Sequence, residues 1–251
     1  MTQPDAPNRV VQRAATLLLV RDGPSGLEVY LLKRPARGAF PGLHVFTGGK
    51  VDAEDTTLAR LASPLPDAES ANELLDVDAD ALAYWACAVR ECFEESGVVL
   101  ARRDAEPVDP QIAATLSGRR DEPFVALLRE QRLQLTFDRL HYFSHWITPE
   151  IAPRRFDTRF FVAELPAGQI ARHAPGETVG GQWLAPAEAL RLAASDQLAM
   201  IKPTMVSLES LARYASVAEL LRAVARFEHL PEYSEVLRRE GMQPRIDPAR
   251  R

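Results

Sequence analysis

Three glutamates near the middle of the chain have a spacing that could support chemistry. Glu91, Glu94 and Glu95 stand at positions i, i+3 and i+4 of an alanine-rich run, so a helix would present all three from one face within a single turn. Like charges at this spacing repel each other, and more strongly when they are partly buried. A divalent cation would reverse the sign of that interaction, whereas a solvated acidic helix end is the simpler alternative.

Mg²⁺ or Mn²⁺ is the cation that such a cluster would select, because both prefer hard oxygen ligands and often share their coordination with substrate phosphates. Gly97 follows the cluster and predicts the end of the helix, since glycine readily adopts the left-handed conformation found there. Upstream, an apolar run enters Gly48 and Gly49 and then an acidic loop. These glycines permit backbone conformations that side chains forbid, and we expect them to leave a backbone carbonyl accessible to a metal ion.

Together the two segments resemble the Nudix hydrolase signature. In that signature a glycine is followed after five residues by Glu, and after seven more by Arg-Glu-U-x-Glu-Glu-x-Gly-U, where U is apolar. Residues 90–98 match the second half, and the first half matches either at 48–54 or at 49–55, where Asp55 replaces Glu. The spacer departs from the signature, because 35 residues separate Glu54 from Arg90. We therefore predict an insertion at about 56–77, which loop-closure entropy tolerates.

The resemblance implies a fold class and a set of roles. The fold is α/β, with a Nudix-type mixed β-sheet sandwiched between helices. Glu91, Glu94, Glu95 and the Gly49 carbonyl would hold Mg²⁺ or Mn²⁺. Arg90 would join them in the catalytic set by tying the helix to the acidic loop, through Glu54 or Asp55.

More narrowly, residues 41–49, the split signature, residues 155–161 and a two-helix C-terminal extension are similar to the peroxisomal coenzyme A and acyl-CoA diphosphatase subgroup. This implies cleavage of CoA or acyl-CoA into a 4′-phosphopantetheine derivative and adenosine 3′,5′-bisphosphate. Arg34 and Arg37 are then candidates for binding the substrate, including its 3′-phosphate, since guanidinium groups grip phosphate oxygens in pairs. Scattered charge on a surface loop is the alternative for both arginines.

Other functions share the same signature. ADP-ribose, NADH and nucleotide sugars are alternative substrates within the family, and a non-catalytic ligand-sensing module is an alternative outside enzymes. A sensing module usually loses carboxylates of the signature, whereas this chain retains all three glutamates of its second half.

Composition excludes several classes. The net charge of −5 and the sequence pI near 5.6 lack the excess of positive charge that is typical of nucleic-acid-binding proteins. No apolar run approaches the length of a membrane span, and the first residues lack the features of a signal peptide. Cys87 and Cys92 are interpreted as apolar packing residues in a reducing compartment. We expect a soluble cytoplasmic protein with a small-molecule partner, and a homodimer is compatible with these features.

The predicted elements divide the chain into a tail at 1–9, a Nudix domain at 10–200, a helical extension at 201–235 and a second tail at 236–251. Alternation and turn residues predict a hairpin and three later strands, with helices around the glutamates and in the extension. Asp78 or Asp80 is expected to cap the glutamate helix. Glu177 is interpreted as a surface residue of the last strand, with a further active-site carboxylate as the alternative.

Overall fold

The computed structural model describes residues 11–37, 41–152 and 154–229. The strands are β1 (Gln12–Gly23), β2 (Gly26–Lys33), β3 (His44–Val45), β4 (Thr47–Lys50), β5 (Ala101–Arg103), β6 (Glu106–Pro107), β7 (Gln134–Leu135), β8 (His141–Ile147), β9 (Phe156–Glu164) and β10 (Gly180–Leu184). The α-helices are α1 (Ala53–Ala59), α2 (Ala68–Leu75), α3 (Ala81–Ser96), α4 (Pro110–Ser117), α5 (Phe124–Glu130), α6 (Pro186–Ala194), α7 (Lys202–Leu211) and α8 (Val217–Ala225). A short 3-10 helix covers Phe137–Arg139.

The main sheet has the strand order β10-β2-β1-β9-β8, with β3 added to β2 and β4 added to β1. Strands β1 and β9 run parallel, whereas the other pairs in this sheet are antiparallel. Strands β5, β6 and β7 form a small separate sheet. The predicted hairpin is confirmed as β1 and β2.

The main sheet is covered on both faces, as the period-two alternation of β1 requires. Leu17 and Leu19 belong to a buried cluster with the residues of α3, whereas Leu18 and Val20 belong to a second cluster with residues of α6, α7 and α8. The prediction of a mixed sheet between helices is confirmed. No helix in the described part of the chain is long and apolar enough to span a membrane.

The predicted C-terminal end of helix α3 is confirmed, whereas its predicted N-terminal cap is not. Gly97 adopts φ +72° and its amide donates to the Phe93 carbonyl at 2.7 Å, so the predicted glycine end is confirmed. The predicted carboxylate cap is wrong. Asp80 occupies the capping position in a left-handed conformation, but its side chain makes no cap bond. Instead, the Ala81 amide donates to Oδ1 of Asn72 at 3.0 Å.

The Asn72 contact comes from helix α2, which lies within the predicted insertion. Arg159 on β9 holds the end of this helix, because its Nε and Nη2 donate to the Leu75 carbonyl at 3.0 and 2.7 Å. The Arg159 side chain is buried, so its guanidinium finds its partners inside the protein. The segment between the acidic loop and α3 is therefore docked against both the glutamate helix and the sheet.

Candidate active site

The glutamates lie on the last turns of α3, where the helix meets strand β4. Glu95 is buried, with 2% of its surface exposed, while Glu91 and Glu94 are partly accessible. Nη1 of Arg90 donates to Glu91 Oε1 and to Glu94 Oε2, both at 2.9 Å. Arg90 therefore holds two of the three carboxylates from within the same helix.

Arg90 also ties the helix to the acidic loop. Its Nε donates to Asp55 Oδ1 at 2.8 Å and its Nη2 donates to Asp55 Oδ2 at 3.1 Å. A third bond runs from Nη2 to the Lys50 carbonyl at 3.0 Å. Of the two partners that the sequence allowed, the structure selects Asp55, which is fully buried. The alignment of the signature at 49–55 thus matches this geometry.

The two glycines of β4 are required for close approach to their neighbours. A Cβ at Gly49 would overlap the carboxylate of Glu91, and a Cβ at Gly48 would lie 2.5 Å from the Ala15 carbonyl oxygen. Neither glycine has a positive φ, so each provides space for its neighbours without using the conformational freedom that glycine permits. The Gly49 carbonyl lies 3.7 Å from the Cys87 sulfur, beside α3.

Arg34 and Arg37 lie in different environments. Arg34 Nη1 donates to Glu95 Oε1 at 3.0 Å, and the Gly48 amide donates to the other oxygen, Oε2, at 2.9 Å. Arg34 thus belongs to the glutamate cluster. Arg37 is exposed on the loop that precedes residues 38–40, which lie outside the described part of the chain. Of these two arginines, Arg34 is therefore the one that contacts a glutamate of the cluster.

Burial and mutual repulsion perturb the acids of this cluster. Burial raises the pKa of Glu95 to about 8, with a further contribution from the charge of Glu91. Burial likewise raises the pKa of Glu94 to about 7, although the charge of Arg90 opposes the shift. The pKa of Glu91 is also raised, again mainly by burial. Desolvated carboxylates with these shifts bind protons near neutral pH unless another cation replaces the proton.

The fit of a metal ion rests on the chemistry of this donor set. Within the described ranges, no three acidic, histidine or cysteine side chains converge into a ready-made ligand cluster. The glutamates are bound to Arg34 and Arg90 instead. Three carboxylates on adjacent turns, beside a glycine that leaves room against Glu91, nevertheless supply the hard oxygen ligands that Mg²⁺ and Mn²⁺ prefer.

Glu177 is near enough to the three glutamates to affect them electrostatically. It lies in the loop before β10, not within the strand as interpreted. This loop is bound to the end of α3, since the Ala174 amide donates to the Glu95 carbonyl at 3.1 Å. The negative charge of Glu177 contributes to the raised pKa of each of the three glutamates. Glu177 is therefore a fourth carboxylate within electrostatic reach of the site.

Comparisons with known proteins agree with this arrangement. The family model described as the NUDT19 Nudix domain matches residues 64–211. The human acyl-coenzyme A diphosphatase NUDT19 is 31% identical over an alignment covering 78% of this chain and 63% of that protein. Its counterpart from Xenopus laevis is 28% identical and covers 78% and 62%. The chain thus spans less than two thirds of the length of these relatives.

A solved structure supports the fold. The crystal structure of a Nudix hydrolase from Alicyclobacillus acidocaldarius matches with a TM-score of 0.67 and 28% identity. The match covers 87% of this chain and 97% of that one. The similarity therefore extends over most of the chain.

Proposed function

This chain belongs to the NUDT19 Nudix-domain family, and on that premise we propose that it hydrolyses the phosphoanhydride of CoA or acyl-CoA. The products are a 4′-phosphopantetheine derivative and adenosine 3′,5′-bisphosphate. The observation that carries the proposal is the complete glutamate cluster on α3, joined to the acidic loop by the buried pair of Arg90 and Asp55. The relatives named acyl-coenzyme A diphosphatase support the substrate class.

Glu91, Glu94, Glu95 and the Gly49 carbonyl are the groups that would hold the metal. Nudix hydrolases generally use divalent ions, and Mg²⁺ or Mn²⁺ suits these oxygen donors. When bound, such an ion neutralises diphosphate charge and makes an attacking water more acidic.

The chain's own residues provide position and proton transfer. Arg90 keeps Glu91 and Glu94 in register with the loop, because its guanidinium contacts both glutamates and Asp55. One of these carboxylates is placed to accept the proton of the attacking water. Arg34, which contacts Glu95 in the structure, lies where it can exchange that carboxylate for a diphosphate oxygen.

A substrate panel tests the proposal. Purified protein is incubated with CoA, an acyl-CoA, ADP-ribose, NADH and a nucleotide sugar, each with Mg²⁺, with Mn²⁺ and with EDTA. We expect preferential cleavage of the CoA species, dependence on the metal, and loss of at least about a hundredfold in Glu95→Gln. Preferential cleavage of ADP-ribose or NADH would refute the substrate class. Binding of a CoA species without cleavage of any compound would favour a sensing module.

The 3′-phosphate provides a narrower test on Arg37. If this exposed arginine binds it, Arg37→Ala lowers turnover of CoA more than turnover of 3′-dephospho-CoA. Equal turnover of CoA by the variant and the original protein would show that Arg37 does not bind the 3′-phosphate.

A further inference from the structure

A cavity of about 470 Å³ lies on the face of the main sheet opposite α3. Its floor is the sheet and its roof is the start of helix α7, where Ile201 and Pro203 line it. This volume is within the range of about 300–1,000 Å³ typical of small-molecule sites. The diphosphate chemistry proposed above takes place at α3 and does not use this space.

The cavity reaches the glutamate site around the edge of strand β4. Arg34, Gly48 and Gly49 line its near end. Two of these residues also contact the site directly, because Arg34 and the Gly48 amide each donate to Glu95. A molecule with its diphosphate at the glutamates can therefore extend into the cavity without leaving the protein.

The register of the sheet gives the direction of the cavity. Lys50 pairs with Ala14, Ala14 pairs with Thr158, and Thr158 pairs with Trp146. All four of these residues line the cavity. Since neighbouring strands lie about 4.8 Å apart, this row crosses about 14 Å of sheet from β4 to β8. The space therefore suits a long, narrow occupant lying across the strands.

The lining changes character along this path. Thr16 and Thr158 place hydroxyl-bearing side chains near the middle, whereas Trp146 and Phe156 form an apolar wall at the β8 end. Phe156 is half-buried, so this end opens to solvent. Hydroxyl groups can bond the amides of a polar linker, and the apolar wall favours a hydrocarbon chain.

A flat nucleobase is a poorer match for the same wall. A purine is fixed by donors and acceptors aimed at its edges. At the β8 end, Trp146 and Thr148 are the lining residues with side-chain donors or acceptors. The Thr148 hydroxyl already accepts a hydrogen bond from the Phe156 amide at 3.1 Å. The Trp146 indole nitrogen is already bonded to the Ser144 hydroxyl at 3.1 Å.

We infer that this cavity binds the acylated pantetheine arm of an acyl-CoA, with the pantetheine crossing the sheet and the acyl chain against Trp146 and Phe156. The inference rests on the proposed function and assigns its chain-length specificity to residues outside the glutamate site. It also gives helix α7 a role, since Ile201 and Pro203 at the start of the C-terminal extension roof the substrate arm.

The decisive variant is Phe156→Glu, which places a carboxylate on the apolar wall at a half-buried position. Its control is Ile151→Glu, because Ile151 is 93% exposed and does not line the cavity. Values of kcat/KM are measured for CoA, acetyl-CoA, hexanoyl-CoA and decanoyl-CoA, with thermal unfolding as a check on folding. Each methylene buried in the cavity should raise kcat/KM by about fourfold until the wall is covered.

We expect Phe156→Glu to reduce the ratio of kcat/KM for decanoyl-CoA over that for CoA by at least about tenfold. Ile151→Glu should leave the ratio unchanged. An equal loss for CoA and decanoyl-CoA in Phe156→Glu would overturn the inference, since the cavity would then hold a part common to both. Unchanged values for both substrates would overturn it as well.

A binding measurement separates this inference from the proposed function. Decanoyl-CoA is titrated into metal-free protein while tryptophan fluorescence is recorded, with CoA as the reference ligand. An emission change that is larger with decanoyl-CoA and is lost in Trp146→Phe supports the cavity even if no CoA species is cleaved. The same response in protein and variant, or no response, would overturn the inference even if CoA is hydrolysed.

Discussion

Arg90 and Asp55 form a bidentate ion pair in the interior of the protein, at 2.8 and 3.1 Å. The pair joins helix α3 to the loop that follows the two glycines, although the insertion separates the two residues along the chain. Because Arg90 also contacts Glu91 and Glu94, one guanidinium fixes both the position of the loop and the orientation of the carboxylates. The integrity of the site thus depends on a contact that takes no part in the bond cleavage itself.

We expect Asp55→Asn to destabilise the protein by about 3 kcal/mol, because removing one partner of a buried pair leaves the other charge poorly compensated. Chemical denaturation with urea measures the change. Glu54→Gln is the matched control, since Glu54 is adjacent and was the other partner allowed by the sequence. A loss of stability in Glu54→Gln equal to that in Asp55→Asn would contradict the assignment.

The two glycines should respond differently to the same substitution. In Gly49→Ala the new methyl group meets the Glu91 side chain, which can move away, so activity should fall more than stability. In Gly48→Ala it meets the Ala15 backbone, which cannot yield easily, so stability should fall more. Parallel measurements of thermal unfolding and of CoA turnover test this contrast, and the reverse order would refute it.

These contacts show where inference from the sequence succeeds. Gly97 could be predicted to end α3 because a helix end depends on local conformation alone. The sequence narrows the partner of Arg90 to Glu54 or Asp55 but does not decide between them. Which of the two adjacent side chains faces Arg90 depends on how α1 packs, and that is a property of the whole fold.

Other contacts could not be predicted because they depend on packing between distant segments. Arg34 meets Glu95 across 61 positions of sequence, and no local pattern marks such a pair. Asn72 replaces Asp80 as the cap of α3 only because the insertion folds into a helix that lies beside it. Glu177 was interpreted as a strand residue because its neighbours are β-rich, whereas its loop is anchored on α3.

Metal affinity should rise with pH. The pKa of Glu94 is raised to about 7 and that of Glu95 to about 8, so protons compete with the metal below these values. Below these values, apparent Mn²⁺ affinity should increase about tenfold per pH unit for each proton that the metal displaces. Above them the competition ends and the affinity should level off. Calorimetric titration in buffers of different ionisation enthalpy measures both affinity and proton release. Affinity independent of pH from 6 to 8 would contradict these shifts.

In metal-free protein the same raised pKa values should make the stability of the folded state fall, not rise, as the pH increases. The folded state holds protons that the unfolded chain has lost above the ordinary glutamate pKa of 4.5. The stabilisation is therefore complete below about pH 4.5, declines steadily as the pH rises above it, and is gone once the pH has passed the folded-state values of about 7 and 8. Thermal unfolding in EDTA should show this decline relative to Glu95→Gln, which lacks the buried acid. A decline of the same size in the variant would exclude Glu95 as its source.

Glu177→Gln should move the pH profile of metal binding toward lower pH. Removing its negative charge lowers the pKa of each of the three glutamates, because that charge helps to raise them. Glu188→Gln is the control, since Glu188 is exposed and paired with Arg191. A profile that is unchanged in Glu177→Gln, or shifted equally in Glu188→Gln, would show that the charge of Glu177 has no specific effect on metal binding.

The most direct test of the central claim is identification of the products formed from CoA in the presence of Mg²⁺ or Mn²⁺ by chromatography and mass spectrometry. We expect 4′-phosphopantetheine and adenosine 3′,5′-bisphosphate in equal amounts, with neither formed by Glu95→Gln. Release of inorganic phosphate without these two products, or CoA recovered intact from protein that binds it, would contradict the assignment of this chain as a CoA diphosphatase.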